Sequence, residues 1–214
     1  MLHKSETIWN GAGTHAVGVV PSASGPTPAA LWMPAGSAPV PAVVLMGHGG
    51  SQHKCAANPS SLAEVLVTKL GFAAAAIDGP IHGDRRPEGP LEGLERRDRF
   101  LAYWREQSEV GARLMTAGWI GLIDAMQTLP RLATARIGYA GVSMGTAYGL
   151  PLLAADQRIA AAVLGLWGAD YPASTHLSVA ARAVRCPTLF LQRWDDQLFT
   201  RDGTLALFDA IGTP

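Results

Sequence analysis

A chain of 214 residues is long enough for one well-packed domain and too short for two domains of ordinary size. Apolar residues make up 48% of it, charged residues 16%, and 17 basic residues balance 17 acidic ones. A neutral chain has no long-range attraction for nucleic acid or anionic lipid, so neither partner is expected and a small, weakly charged ligand is favoured.

The two cysteines, Cys55 and Cys186, are far apart in sequence and belong to no paired motif. This usage predicts neither a disulfide framework nor a zinc site, and it is typical of a reducing compartment. The first residues lack the apolar core of a signal peptide, and no run approaches the roughly 20 apolar residues that cross a bilayer. We therefore expect a cytoplasmic protein with no membrane partner.

The first third of the chain is predicted to be rich in strands. Short strands are expected over 14–20 and 29–33, separated by a loop of Pro, Ser and Gly. Residues 41–46 are almost continuously apolar, which is typical of a strand buried on both faces. This run leads into the flexible loop Gly47-His48-Gly49-Gly50.

Helices and strands alternate along the rest of the chain. The pattern predicts helices over 60–70, 109–129, 144–155, 176–184 and 201–211, and strands over 72–77, 136–140, 160–166 and 188–192. Alternation at this spacing predicts a single α/β domain over 1–214, with a mostly parallel sheet covered by helices on both faces.

The segment 84–108 is dense in arginines and acidic residues. Such a pattern is typical of a solvated helix surface, and a lid facing the substrate is the alternative. Arg85 and Arg86 could receive a carboxylate on the substrate, although exposed arginines are common without any such role.

Gly141-Val142-Ser143-Met144-Gly145 matches the pattern Gly-x-Ser-x-Gly, which is weak evidence by itself. Here the match directly follows a predicted strand and directly precedes a predicted helix, which is the context of a nucleophile elbow. Glycines at 141 and 145 would avoid collision between strand and helix in so tight a turn. Ser143 would also lie at a helix N-terminus, whose dipole favours developing negative charge. Ser143 is therefore the candidate nucleophile.

Three features together resemble the α/β-hydrolase family, most closely its serine esterase and dienelactone-hydrolase-like branches. They are the segment 141–145, the loop His48-Gly49-Gly50, and the turn Asp78-Gly79-Pro80-Ile81-His82-Gly83 after the next strand. The resemblance covers about residues 29–211. Dienelactone hydrolases proper use a cysteine nucleophile, so the serine found here favours ordinary ester hydrolysis.

The resemblance also implies where an oxyanion would be bound. Acyl transfer places negative charge on the former carbonyl oxygen, which two backbone N–H groups usually hold. Met144, the residue after the nucleophile, would supply one, and Gly50 or Ser51 the other. His48 and His82 are interpreted as structural residues that bond nearby backbone, but a direct role stays open because ligands of open α/β sheets bind at such loops.

The acid of a catalytic triad is expected after the strand 188–192, because this fold places serine, acid and histidine in that order. Asp196 aligns best with the family pattern, although Thr200 stands where proline is common. Asp195 and Asp170 remain alternatives.

No histidine follows Asp196: the last one is His176, and 18 residues remain after the acid. Three interpretations are open. A C-terminal segment with the last strand, the closing helix and the histidine is absent from the sequence, which we favour; His176 serves from an unusual lid position; or the chain is an inactive binding protein of the same fold. In the first case 188–192 is an apolar sheet edge of the kind that folds normally cover.

The leading hypothesis is hydrolysis of a small carboxylic ester or thioester through an acyl-enzyme, with no cofactor and no metal. The apolar side chains that could line the substrate pocket, or else belong to the core, are Trp104, Trp167, Met144 and Leu198. A nicotinamide-dependent oxidoreductase is disfavoured because the glycines around the serine have the wrong spacing for a dinucleotide and follow a late strand. The substrate and the oligomeric state stay open.

Overall fold

The computed structural model describes residues 2–86 and 93–212, with side chains over 6–86 and 95–212. Eight strands of this part form one sheet: β1 (Leu2–Ile8), β2 (Gly13–Val20), β3 (Thr27–Pro34), β4 (Ala42–Gly47), β5 (Ala73–Ile77), β6 (Arg136–Gly141), β7 (Ile159–Gly165) and β8 (Thr188–Leu191). The α-helices are α1 (Ala57–Leu70), α2 (Gly93–Gln127), α3 (Met144–Ala155), α4 (Thr175–Ala183) and α5 (Arg201–Asp209).

The strands lie in the order β1-β2-β3-β5-β4-β6-β7-β8. The three pairs from β1 to β5 are antiparallel, and the four pairs from β5 to β8 are parallel. Parallel neighbours need a crossover, and α1, α2, α3 and α4 supply the crossovers here. The prediction of a mostly parallel α/β sheet is confirmed.

The sheet is buried on both faces, and the side chains of its central strands alternate between two apolar clusters. On β5, Ala73, Ala75 and Ile77 belong to one cluster, whereas Ala74 and Ala76 belong to the other. The smaller cluster packs under α1, and the larger one under α2 to α5. This explains the continuous apolar runs in the sequence, since a strand covered on both sides has no polar face.

Two elements differ from the sequence prediction. Strand β1 was not predicted, because its polar residues pair antiparallel with β2 alone and give no apolar signal. Helix α2 begins at Gly93 rather than near 109, and it continues through a kink at Gln107 (φ −132°). Phe100 and Trp104 in its first half are almost fully buried. The surrounding charged residues mask this apolar pattern in the sequence. Of the predicted segment 84–108, residues 87–92 lie outside the described residues.

Strand β8 forms one edge of the described sheet and pairs with β7 only. Leu189 and Leu191 are 60% and 42% exposed there. Among the described helices, none combines the length and the apolar character that crossing a membrane requires.

Candidate active site

Ser143 lies on a sharp turn between β6 and α3. Its φ and ψ are 58° and −121°, which is unusual for a residue with a side chain and costs on the order of 1–3 kcal/mol. The Ser143 N–H donates to the Gly165 carbonyl (2.9 Å), and the Thr146 N–H donates to the Ser143 carbonyl (2.9 Å). The strand, turn and helix expected around this serine are therefore present, and the backbone around it is tightly bonded.

The glycines of this turn allow three elements to meet. A Cβ on Gly145 would lie 2.7 Å from the Gly47 carbonyl oxygen, and one on Gly141 would lie 2.8 Å from the Tyr139 hydroxyl. The contact at Gly145 is with backbone, so the close approach of β4 and α3 requires glycine there. The contact at Gly141 is with the end of the Tyr139 side chain, which packs under the turn.

Two buried hydroxyl groups are hydrogen-bonded to the backbone around the turn. Tyr139 Oη donates to the Gly145 carbonyl (2.6 Å), and burial raises the pKa of this phenol, so it stays a donor. Thr146 Oγ1 donates to the Gly165 carbonyl (2.6 Å) and accepts from the Gly165 N–H (2.7 Å). Sequence reasoning missed both residues, because neither belongs to the five-residue motif and their partners are set by the fold.

His48 is buried in the loop after β4, and both of its ring nitrogens have backbone partners. Nδ1 donates to the Gly49 carbonyl (2.9 Å), and Nε2 accepts from the Gly79 N–H (2.9 Å). Burial, followed by the neighbouring His82, holds the pKa of His48 well below its usual value. His48 is therefore a neutral ring whose polar atoms join the loops after β4 and β5.

His82 lies beside it, fully buried, in the loop after β5. Its Nε2 donates to the Gly50 carbonyl at 2.8 Å. Burial lowers the pKa of His82 to about 4, so this ring is also neutral near pH 7. No nitrogen of the described histidines is hydrogen-bonded to Ser143.

A buried ion pair joins the same two loops. Lys54 Nζ lies 2.7 Å from Asp78 Oδ2 and 2.6 Å from Asp84 Oδ2, and the Lys54 N–H donates to Asp78 Oδ1 (2.9 Å). Burial opposes the charged form of Lys54, but the two carboxylates outweigh it and raise the lysine pKa. The sequence pointed to Asp78 through its turn motif but gave no sign of Lys54, whose partner is 24 residues away.

The first half of α2 lies over the glycine-rich loop. Arg96 Nη1 donates to the Ser51 carbonyl (2.8 Å). A Cβ on Gly50 would lie 2.6 Å from the ring of Phe100, so this aromatic side chain packs directly on the loop backbone. The predicted charged segment thus contributes contacts to the loop as well as exposed charges.

A cavity of about 410 Å³ opens at the carboxyl ends of β4 and β6 and includes Ser143. The loop residues 48–52 form one wall, and residues of α1 form another, including Asn58 and Leu62. Arg97 contributes the one charged side chain among the described residues that line it. Gly50 and Ser51 therefore line the cavity that holds the candidate nucleophile, and Met144 follows that serine directly at the start of α3.

The four apolar side chains considered as pocket residues do not line this cavity. Trp104, Trp167 and Met144 are at most 1% exposed and belong to the core on the α2 face of the sheet. Leu198 is instead 39% exposed in the loop before α5.

Arg85 and Arg86 also lie outside the lining of the cavity. Arg85 donates to Thr27 Oγ1 (3.1 Å), and Arg86 donates to the Gly83 carbonyl (3.1 Å). Each guanidinium group therefore has a hydrogen-bond partner within the protein, away from the cavity.

The candidate acids occupy different environments in the loops after β7 and β8. Asp196 Oδ1 accepts from the N–H groups of Leu198 (2.7 Å) and Phe199 (3.0 Å). Asp195 is largely exposed and pairs with Arg193 at 3.3 Å, whereas Asp170 accepts from Thr200 Oγ1 at 2.5 Å. Of the three, Asp196 has the carboxylate that backbone donors hold in place.

His176 lies apart from Ser143, at the beginning of α4. Its ring is 5.5 Å from that of Trp104, and it lines a separate groove of about 1070 Å³ between α2, α3 and α4. Because the Ser143 cavity and this groove share no lining residue, the geometry gives no support to His176 as the base.

A sheet of this order, with a strained serine between a central parallel strand and a helix, is the architecture of an α/β hydrolase. No protein-family model and no curated protein sequence matches the chain. A solved structure of a cold-adapted esterase from an Arctic intertidal metagenomic library is 31% identical, covers 98% of this chain and 84% of its own, and has a TM-score of 0.83. The chain belongs to the α/β-hydrolase family, and it is similar to this esterase over nearly all of its length.

Two more distant structures share the fold. An acetyl xylan esterase from Paenibacillus is 17% identical, with a TM-score of 0.70 and coverage of 100% of this chain and 80% of its own. A dienelactone hydrolase-like promiscuous phosphotriesterase from metagenomic libraries is 18% identical, with a TM-score of 0.66 and coverage of 94% and 80%. At such identities the likeness shows the fold alone.

Proposed function

We propose that this protein is a serine hydrolase that cleaves small carboxylic esters or thioesters through an acyl-enzyme intermediate. The observation that carries the proposal is Ser143 at φ 58°, on the turn before α3, in a cavity that it shares with the glycine-rich loop. A nucleophile elbow has this conformation because it lifts the hydroxyl clear of the strand and helix that flank it. The 31% identical cold-adapted esterase supports the same class of reaction.

The oxyanion is assigned to backbone amides on both sides of Ser143. Among the described residues, the N–H groups of Met144, Gly50 and Ser51 have no hydrogen-bond acceptor. Met144 is the first residue of α3, where the helix dipole adds to the attraction for negative charge. Amides that are already oriented stabilise the tetrahedral intermediate without reorganising during the reaction.

Asp196 is assigned as the acid that orients an imidazole base. Two backbone N–H groups hold its Oδ1, which leaves Oδ2 to accept from the Nδ1–H of a histidine. Asp195 suits this role less well because it is exposed and paired with Arg193. His48 and His82 are assigned to the support of the loop, since their ring nitrogens hold backbone groups.

In the proposed reaction Ser143 Oγ attacks the ester carbonyl carbon, and its proton passes to an imidazole that Asp196 would orient. None of the described histidines occupies this position. The imidazolium then protonates the leaving oxygen or sulfur as the bond to the acyl carbon breaks. Water releases the acid from Ser143 by the same steps, with the imidazole again acting as base.

The test is the hydrolysis of p-nitrophenyl acetate by the full chain and two variants. We expect turnover by the wild-type protein, its loss in Ser143→Ala, and its retention in Ser61→Ala, which changes an exposed serine on α1. Hydrolysis that does not differ between the wild-type protein and Ser143→Ala would contradict the proposal and favour a binding protein of the same fold.

A further inference from the structure

Three successive carbonyl groups of the glycine-rich loop each accept a hydrogen bond from a side chain. His48 donates to the Gly49 carbonyl, His82 to the Gly50 carbonyl (2.8 Å), and Arg96 to the Ser51 carbonyl (2.8 Å). The donors come from the loop itself, from the loop after β5 and from α2. Such complete bonding of carbonyls fixes the orientation of each peptide plane in a loop that has no regular secondary structure.

The hydrogen bond that the Gly50 carbonyl accepts from His82 is related to the direction of the Ser51 N–H, because both groups belong to one peptide. A trans peptide is planar, with its C=O and N–H in opposite directions, and no cis peptide occurs among the described residues. The Gly50 carbonyl points to His82, which does not line the Ser143 cavity, whereas Ser51 does line it. The N–H of Ser51 is therefore directed away from His82.

Gly50 makes this peptide plane easy to turn. Glycine has the widest choice of backbone angles, so its own preferences do not hold the Gly50–Ser51 peptide in one orientation. The Phe100 ring fills the space where a Cβ would lie, so a residue with a side chain could not replace Gly50 and restrict it. Among the described contacts, the hydrogen bond from His82 is the one made to the carbonyl of this peptide.

We propose that His82 is a positioning residue that aims the Ser51 N–H at the oxyanion. The proposal rests on the proposed function and adds a role for a histidine outside the triad. The ring is 0% exposed and is held between Phe100 (centroids 5.7 Å apart) and His48 (5.1 Å). It donates from Nε2 in its neutral form, while Nδ1 has no partner among the described residues.

Burial keeps the ring in this form under ordinary conditions. Protonation would add an N–H at Nδ1, which is buried beside Gly79 and has no acceptor among the described residues. The pKa of about 4 agrees with that cost and leaves Nε2 as the only donor near pH 7.

A wrongly oriented Ser51 amide should affect the transition state more than the bound ester, because the charge develops only during the reaction. Removing one oxyanion donor lowers kcat by roughly 100- to 1,000-fold in other hydrolases. We expect His82→Leu, which removes the donor and keeps the bulk, to lower kcat by roughly 10- to 100-fold with KM changed less than about 2-fold.

The experiment compares His82→Leu with His82→Gln and with the control His53→Gln, on the same loop as Gly50. Glutamine keeps an N–H near the position of Nε2, so we expect it to recover at least part of the lost kcat, and we expect the control to keep wild-type kcat. A purely structural role predicts equal effects of leucine and glutamine, or a loss confined to KM. Either result would overturn the proposal.

Crystal structures of the wild-type protein and of His82→Leu provide a measurement that does not depend on activity. A rotated Gly50–Ser51 peptide in the variant supports the proposal, and an unchanged peptide overturns it. Equal hydrolysis by the wild-type protein and Ser143→Ala would instead contradict the proposed function, and the peptide orientation would still decide the role of His82.

Discussion

At the residue scale, the candidate nucleophile is held in a conformation that its own side chain disfavours. Ser143 keeps φ at 58° because its N–H and carbonyl are both bonded to neighbouring elements. The hydroxyls of Tyr139 and Thr146 anchor the residues around it. The energy for this strain comes from the surrounding fold, which is common where a turn serves a reaction.

The strain at Ser143 predicts an unusual order of stability between two substitutions. Ser143→Gly should be more stable than Ser143→Ala, with a free energy of unfolding about 1 kcal/mol higher, since glycine accepts positive φ and alanine does not. Urea denaturation of the two purified variants measures the difference. An alanine variant as stable as the glycine variant would show that the positive φ carries no strain.

The glycines around the turn give a second prediction at this scale. Gly145→Ala should lower the free energy of unfolding by about 1–3 kcal/mol and abolish hydrolysis, because its Cβ would lie 2.7 Å from the Gly47 carbonyl. Gly138→Ala on β6 is the matched control, since the nearest atom to its Cβ is 3.8 Å away. Thermal melting and turnover of both variants check the prediction, and equal tolerance at the two sites would contradict it.

At the element scale, the site depends on loops that are joined to each other by hydrogen bonds and by a buried ion pair. The loops after β4 and β5 share the His48 and His82 hydrogen bonds and the Lys54–Asp78 ion pair. The first half of α2 closes over them through Arg96 and Phe100. The loop that bears the proposed oxyanion amides is therefore bonded at several points although it contains consecutive glycines.

The buried ion pair predicts a large loss of stability when one partner is removed. Lys54→Met should cost about 3–5 kcal/mol, because it leaves the Asp78 carboxylate buried without its cation. The double variant Lys54→Met with Asp78→Asn should recover part of that loss, while Lys69→Met, on an exposed part of α1, should have little effect. Urea denaturation checks all three, and a Lys54→Met variant as stable as Lys69→Met would refute a stabilising role for the pair.

At the scale of the whole molecule, much of the fold was predictable from the sequence because local patterns and global burial agree. The apolar run 41–46 and the strand–serine–helix motif around Ser143 indicated the central strands and the turn. The charged half of α2 was interpreted as a solvated helix surface or a lid, and its packing on the loop was not predicted because the apolar signal of Phe100 and Trp104 lies among arginines. Strand β1 was missed because its polar residues pair only with β2.

The candidate site was predictable where its residues are adjacent in sequence. Ser143 and Met144 lie in one motif, and Gly50 and Ser51 in one loop. Lys54 and Thr146 could not be assigned, because their partners are brought together by parallel strands that are distant in the chain. The functions of His48 and His82 likewise depend on which backbone carbonyl lies opposite each ring.

The two buried neutral histidines make the stability of the whole molecule depend on pH. The unfolded chain binds protons at histidine near pH 6.5, whereas folded His82 does so only near pH 4. Stability present above pH 6.5 should therefore be lost as pH falls toward 4, by on the order of 3 kcal/mol from His82 alone. Urea denaturation across this range should show a shallower decline for His82→Gln, and an unchanged decline would contradict the assignment.

The identity of the reacting side chain is tested most directly by covalent labelling. The full chain is treated with a fluorophosphonate, and the modified residue is located by mass spectrometry of its peptides. The proposed mechanism predicts one adduct, on Ser143, which is absent from Ser143→Ala and unchanged in His176→Ala. An adduct on another residue, or no adduct on the wild-type protein, would contradict the assignment of Ser143 as nucleophile.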